Sequence, residues 1–554
     1  MKYSNIIPKT LISVLILSFF LGTTYQANSK EADDEIIKLE SGFENLTSLD
    51  YDNETLRILQ SEPTTLDRSL SHDSTSNFIL NNISEGLVSY DQDRKIVAGV
   101  ADSYSLSADQ LTYTFYLRKD AKWNDGSPVT AHDFVYSWQR LSEMSSNNES
   151  LLTAANIKNY KSILEGNATK EDLGVSAIDD YKLVVELEKP VPYFLSLLTS
   201  PNFAPIKEEM VITSGDRYGT DLSHIAYNGP YRIEKWYEGQ YLLLTKNPHY
   251  WGSEFIDIEN IKIIAPPLYG YDAFLKNELD TTTLFYNDFI TAYFSGLSPI
   301  ATKNDAIFYL KFNQNDDVLK NANVRKAIAL GFDNSYIVNK TEIGHPANYY
   351  IPSGFFKDND GNDFRQDNVE FLNYDKNLAR KYWNKAQTEL SIETYTLELL
   401  TFDNIISLNI ADYIKDELEN NLPGLIVNIV QQPFDVKLDL EKTGQYACSI
   451  GGWGMDYNDP LSYLEIFSSN STSNDVNYSN PKYDTIIQTL LSSVTYNQGE
   501  RWELFRLAEK QLLQEDAVIK PIYQAGTYYL VKPNIKNLIQ EYGMNDSLKF
   551  VIIE

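Results

Sequence analysis

Cysteine is nearly missing. Cys448 is the single one in 554 residues, which excludes an intramolecular disulfide, an iron–sulfur centre and any zinc site built on thiolates. The five histidines (His72, His132, His224, His249 and His345) are scattered, with no HxxxH or HExxH spacing, so no histidine-built metal or acid–base cluster is expected. No GxSxG element occurs, and no Cys–His pair stands in a hydrolase-like context. No catalytic residues, cofactor or metal are therefore expected, and the chain is not expected to be an enzyme. Positive charge is also in deficit. Lys and Arg number 47 against 77 Asp and Glu, and the net charge of −30 argues against nucleic acid or an anionic membrane surface as partner. Internal repeats and long low-complexity tracts are absent.

One long apolar run is present, at the start. Lys2 and Lys9 precede "TLISVLILSFFLG", the pattern of a secretory signal, and residues 10–29 carry no charge. Cleavage of this segment and its retention as an anchor both remain open. A lipoprotein would place a cysteine just after the apolar run, where Thr23 stands, which counts against a lipid anchor. The expected location is extracytoplasmic: the outer face of the bacterial membrane, the cell wall or the periplasmic space. Nine acidic residues and one lysine follow within residues 31–54, a solvated tether.

The whole chain is 43% hydrophobic, and its length suits about three domains or two large lobes. "TLRILQ" alternates like a strand, and so does "TYTFYLRKDAKW", which ends in the turn "NDGSP". "VTAHDFVYSWQRL" reads as an amphipathic helix capped by Thr130, with Asp133 three residues on and Phe134, Trp138 and Leu141 along one face. Residues 180–194, "DYKLVVELEKPVPYF", read as a strand interrupted by two prolines and as a crossing between lobes. "YNGPYRIEKWYEGQYLLLTKNPHYW" reads as a hairpin. "VRKAIALGFD" and "RWELFRLAEKQLLQED" read as helices. The class is mixed α/β (α+β).

"GGWGMDYNDP", residues 451–460, poses a chemical question. Glycine permits positive φ or close approach of another chain, and Asp456 sits in a tight, largely apolar turn where a bare carboxylate is costly. Either a cation meets it, or backbone N–H groups satisfy it as a turn cap. Asp459 precedes Pro460 and "LSYLEIF", so it reads as a helix N-cap with proline at the first helical position.

The stretch "YTFYLRKDAKWNDGSPVTAHDFVYSWQRL" (residues 113–141) closely resembles the signature of the extracellular solute-binding proteins of family 5, those serving peptide ABC importers. "TTLD" near the start and "NGPYRIEKW", "KNPHYW", "NANVRKAIALGFD", "GGWGMDYNDP", "NYSNPKYDTII" and "YYLVKP" after it fall in the family's order, and the likeness runs from about residue 55 to the C-terminus. It implies a two-lobed periplasmic-binding-protein-like fold with an extra domain and a hinge. Mapped onto this chain, residues 1–27 are the signal or anchor and 28–54 the tether. The first lobe takes 55–86, 188–266 and 522–554, the extra domain 87–187, and the second lobe 267–521. The implied function is capture of oligopeptides, in preference to dipeptides or nickel, and delivery to a membrane permease with its ATPases by a monomer. A receptor for one dedicated signalling peptide, a pheromone, is the alternative.

By the same resemblance Asp456 pairs with the peptide's free α-amino group, while Gly452 and Gly454 let peptide backbone approach as an added strand. Trp453 and Phe434 are candidate pocket walls or ordinary core. Asn228, in "YNGPY", matches a cleft asparagine or is a turn residue. His72, with Asp73, lies in a segment that lines the cleft in relatives or is a solvated loop. Three departures stand out: Ile450 and Ser407 occupy places where basic residues of some relatives meet the peptide's C-terminus, and Arg68 replaces a proline. Amino-terminal anchoring is therefore expected, and C-terminal anchoring is not.

Overall fold

The computed structural model describes residues 54–92, 95–144, 149–266, 269–341, 344–358, 361–367, 369–492, 498–538 and 547–554. The expected signal and most of the acidic tether lie outside them. Among the described residues no helix is long and apolar enough to cross a membrane.

Three sheets organise the chain. The first has four strands. Thr55–Leu59 runs parallel to Asn260–Ile264, which pairs antiparallel with Tyr241–Lys246 and through it with Tyr231–Tyr237. The period-2 alternation places Leu56, Ile58, Leu242, Leu244, Ile261 and Ile263 on one buried face, covered by Ile79, Leu80 and Ile83 of the helix Ser74–Ile83. Asp73 starts that helix by accepting from Ser76 N–H at 2.8 Å. The expected hairpin closes through Gly239, whose φ of +71° a side chain would disfavour.

The second sheet is small and wholly antiparallel, in the order Ala101–Leu106, Thr112–Leu117, Lys182–Glu186, Val175–Asp179. The helix Ala131–Glu143 buries Phe134, Trp138 and Leu141, and the backbone N–H of Thr130 donates to Asp133 at 2.7 Å as the capping pattern requires. Residues 180–194 are not one strand interrupted by two prolines, which corrects that expectation. Lys182–Glu186 is an inner strand paired on both sides, with Leu183 and Val185 in the core, and both prolines come after it ends.

The third sheet has seven strands. Its main order is Thr281–Leu284, Ile519–Val531, Ile300–Phe312, Cys448–Trp453, Tyr395–Phe402, Leu425–Gln432, with His345–Pro346 also pairing to Ile519–Val531. Tyr395–Phe402 and Leu425–Gln432 are parallel, as the intervening helix Ile405–Asn421 demands. Its core gathers Leu310, Phe312, Leu397, Leu399, Ile410, Ile414 and Trp383. Ile519–Val531 stays in this sheet along its whole length, past the expected boundary at residue 521. Only beyond it do Ile535, Leu548 and Val551 join the core of the first sheet. Asp280 ties these passages together, pairing with Arg57 at 2.6 Å and with Lys532 at 3.1 Å.

Candidate functional site

Cys448–Trp453 is an inner strand of the large sheet, antiparallel to Ile300–Phe312 with Phe308 opposite Gly452 and Tyr309 opposite Gly451. None of Gly451, Gly452 and Gly454 has positive φ. Close approach is their purpose, and the approaching groups come from the neighbouring strand Ile300–Phe312 of the same sheet. A Cβ on Gly451 would lie 2.5 Å from Lys311 Cε, one on Gly452 3.0 Å from the Phe308 ring, and one on Gly454 3.1 Å from an Asp305 carboxylate oxygen.

Beside this strand opens a cavity of about 960 Å³ whose lining includes Gly452, Trp453, Gly454, Phe434 and Ser407. Two aromatic pairs form its apolar walls. Phe402 stacks on Phe434 with ring centroids 5.6 Å apart, and Phe308 on Tyr523 at 4.7 Å. Trp453 is held by its indole N–H, which donates to Ser462 O at 3.1 Å. Phe434 therefore stands on a cavity wall and is largely exposed there.

The cavity also has a charged floor. Lys311 Nζ lies 2.5 Å from Asp475 and 3.1 Å from Glu441, while Lys437 Nζ lies 2.5 Å from Glu441. Ser449 Oγ donates to Glu441 at 2.6 Å. Burial opposes charge on Lys311, but Tyr309, Asp475 and Glu441 outweigh it and its pKa is raised. Burial pushes Glu441 up, yet the two lysines leave its carboxyl below the ordinary range. The four charges balance. No sequence pattern singled out this floor. The signals were a lone lysine in the apolar run "IFYLKF" and the i,i+4 pair Lys437 and Glu441.

Asp456 follows in the turn after the strand. Its backbone N–H donates to Ser462 Oγ at 2.7 Å. Its carboxylate has no hydrogen-bond or ion-pair partner among the described residues. Protein crowds this carboxylate yet leaves its surface open to water, as in a cleft. Burial, followed by the negative charge of Asp305, pushes its pKa up to about 6. Glu465, which accepts from the Tyr457 hydroxyl at 2.5 Å, is pushed up to about 7, chiefly by burial. Asp459 differs. It stands one residue before the cap of the helix Leu461–Leu464, accepts from Leu461 N–H at 2.9 Å and meets Arg501 at 2.9 Å, so it holds the first N–H of that helix and has its own cation. Pro460 stands at the cap position, one residue earlier than expected.

Other expected site residues lie elsewhere. Asn228 is buried, and its amide exchanges hydrogen bonds with the backbone of Glu85 (3.2 and 2.8 Å), so it clamps two segments and does not line the cavity. His72 is exposed, with Nδ1 3.1 Å from Leu70 O, and is also outside the cavity. Arg68 is fully buried and donates to Tyr218 Oη and Ala226 O, and Ile450 is core. Among the described residues, no group of three or more His, Cys, Asp or Glu could hold a metal.

The profile of the bacterial extracellular solute-binding proteins, family 5, matches residues 95–475. The periplasmic oligopeptide-binding protein OppA of Escherichia coli is 32% identical over 470 residues, 82% of this chain and 84% of that protein. The dipeptide-binding protein DppE of Bacillus subtilis is 28% identical over 491 residues, 87% of this chain and 88% of that protein. The structure of Listeria monocytogenes OppA bound to peptide superposes with a TM-score of 0.71 at 32% identity, covering 90% of this chain and 99% of that one.

Proposed function

The chain belongs to the bacterial extracellular solute-binding proteins of family 5, and from that premise we propose that it captures oligopeptides by their free amino termini and delivers them to the permease of an ABC importer. Asp456 carries the proposal. It is a carboxylate raised by burial and by a neighbouring acid, without a cation of its own among the described residues, next to a cavity large enough for several side chains. A peptide's α-ammonium supplies the missing charge, and the aromatic walls and balanced floor accept side chains without demanding one sign of charge. The protein acts outside the cytoplasm as a monomer and performs no chemistry on the peptide.

Binding needs ionised Asp456, so protons compete with the ligand as pH falls through about 6. Replacing Asp456 by Ala removes a hydrogen-bonded charge pair, about 1.5–3 kcal/mol, or roughly a ten- to hundredfold weaker Kd. The test is native mass spectrometry of the gently purified protein, with sequencing of released peptides, followed by titration with those peptides and their N-acetylated forms. Acetylation and Asp456→Ala should each weaken binding and should not add, since both remove one interaction. A change below threefold in both would overturn the anchor. The number of co-purifying sequences separates broad uptake from a dedicated signal peptide.

A further inference from the structure

Asp305 lies on Ile300–Phe312 where its pairing with Ile519–Val531 slips, between Lys303 and Ile307. The pairing with Cys448–Trp453 begins just after, at Ile307 opposite Trp453. Such irregularities re-aim side chains, and here Asp305 is turned onto the chain leaving Trp453. Its Oδ2 accepts from Met455 N–H at 2.7 Å, the residue before Asp456, and the glycine at 454 leaves room for it. The Tyr463 hydroxyl donates to Asp305 O at 2.7 Å, and Gln524 Nε2 donates to Asn304 O at 2.9 Å, which fix the backbone behind it. On the far side, Ser462 Oγ accepts from Asp456 N–H. The turn is thus pinned on both flanks of the anchor.

Resting on the reading that Asp456 holds the peptide ammonium, we propose that Asp305 is its positioning residue: through Met455 N–H it fixes the turn, and its own charge beside Asp456 favours a cationic amino terminus over a neutral one. The ionisable groups facing Asp456 are Asp305 from the long strand and Tyr463 and Glu465 from the segment after the turn. Lys189, from the small-sheet side, acts on Glu465. Asp459 is neutralised by Arg501. Asp305 is the neighbour whose charge raises Asp456, so removing that charge moves the Asp456 titration to lower pH.

The two contributions separate by substitution. Asp305→Asn keeps an acceptor for Met455 N–H and loses the charge, whereas Asp305→Ala loses both. The probe is an enzymatic casein digest and the same digest N-acetylated, titrated into the full chain from pH 4.5 to 8 with Trp fluorescence as readout. Wild type should prefer the free-amine digest, with affinity falling through about pH 6. Asp305→Asn should shift that fall to lower pH and narrow the preference roughly three- to tenfold at pH 8, and Asp305→Ala should lose roughly threefold more. Thermal unfolding shows whether each variant is folded. Should Asp305→Ala fail to fold, the pH profile of Asp305→Asn decides alone. A wild-type preference left unchanged in size and pH midpoint by Asp305→Asn overturns the role of Asp305 alone. A wild type that binds both digests equally, or neither, overturns the Asp456 anchor and this inference with it.

Discussion

Two carboxylates a few residues from the same strand show opposite electrostatics. Glu441 is buried with two lysines and a serine hydroxyl, so its folded pKa lies below its unfolded value. It contributes stability above its unfolded pKa that is lost as pH falls through the lower folded value. Asp456 is raised above its unfolded value to about 6, so its ionisation costs stability as pH rises toward neutrality. Unfolding by denaturant at pH 8 separates them. Glu441→Gln leaves two buried lysines short of an anion and should destabilise by about 3 kcal/mol. Asp456→Asn should leave the ligand-free protein unchanged or more stable by up to about 1 kcal/mol, since water screens an open carboxylate. Destabilisation by Asp456→Asn would show that the charge is favourable in the ligand-free protein, which overturns the reading of Asp456 as a carboxylate without a cation of its own.

At the scale of elements, the strand Cys448–Trp453 works because it has almost no side chains on the cavity side. Lys311 lies where a Cβ on Gly451 would be, 2.5 Å from its Cε, and it is held there by Asp475 and Glu441. Gly451→Ala must displace this pinned lysine, so overpacking of about 1–2 kcal/mol is expected, together with weaker peptide binding. An unchanged unfolding midpoint and Kd would mean that the floor is loose. Much of this architecture was legible in the sequence. Period-2 runs gave Thr55–Leu59 and the Tyr231–Lys246 hairpin, and the Thr130–Asp133 cap gave the helix Ala131–Glu143. Residues 180–194 misled because prolines after a strand look like prolines within one, and a strand's partners are not written in its own residues. The floor was hidden for the same reason: Lys311, Glu441 and Asp475 meet only through sheet register and loop return. Asn228 was expected at the cleft from the family resemblance, and neither that nor the Asn-Gly pair says which segment its amide clamps.

At the scale of the molecule, the turn that presents Asp456 also touches Tyr193 and Tyr90, which come from the chain before the large sheet. Tyr457 stacks on Tyr193 with ring centroids 4.0 Å apart and planes 16° from parallel, and Asn458 Nδ2 lies 3.3 Å from Tyr90 Oη. On the proposed reading, Asp456 and its next neighbours join ligand and interdomain contact in one short segment, while Asp280, with Arg57 and Lys532, ties the first sheet to the chain entering and leaving the large sheet. Closure about such passages is opposed or favoured by whatever the facing surfaces gain on meeting. An aromatic stack contributes about 0.5–1.5 kcal/mol beyond its buried area. Tyr193→Ala should therefore weaken peptide binding roughly two- to tenfold, mainly through faster release, because contacts formed on closure hold the complex once it has formed. Stopped-flow release of a fluorescent peptide measures this. The penalty for N-acetylation should be the same in Tyr193→Ala as in wild type, since the ammonium contact is separate, whereas Tyr193→Ala and Tyr457→Ala should not add. A release rate unaltered by Tyr193→Ala would mean that the stack persists in the open protein and takes no part in retaining the peptide.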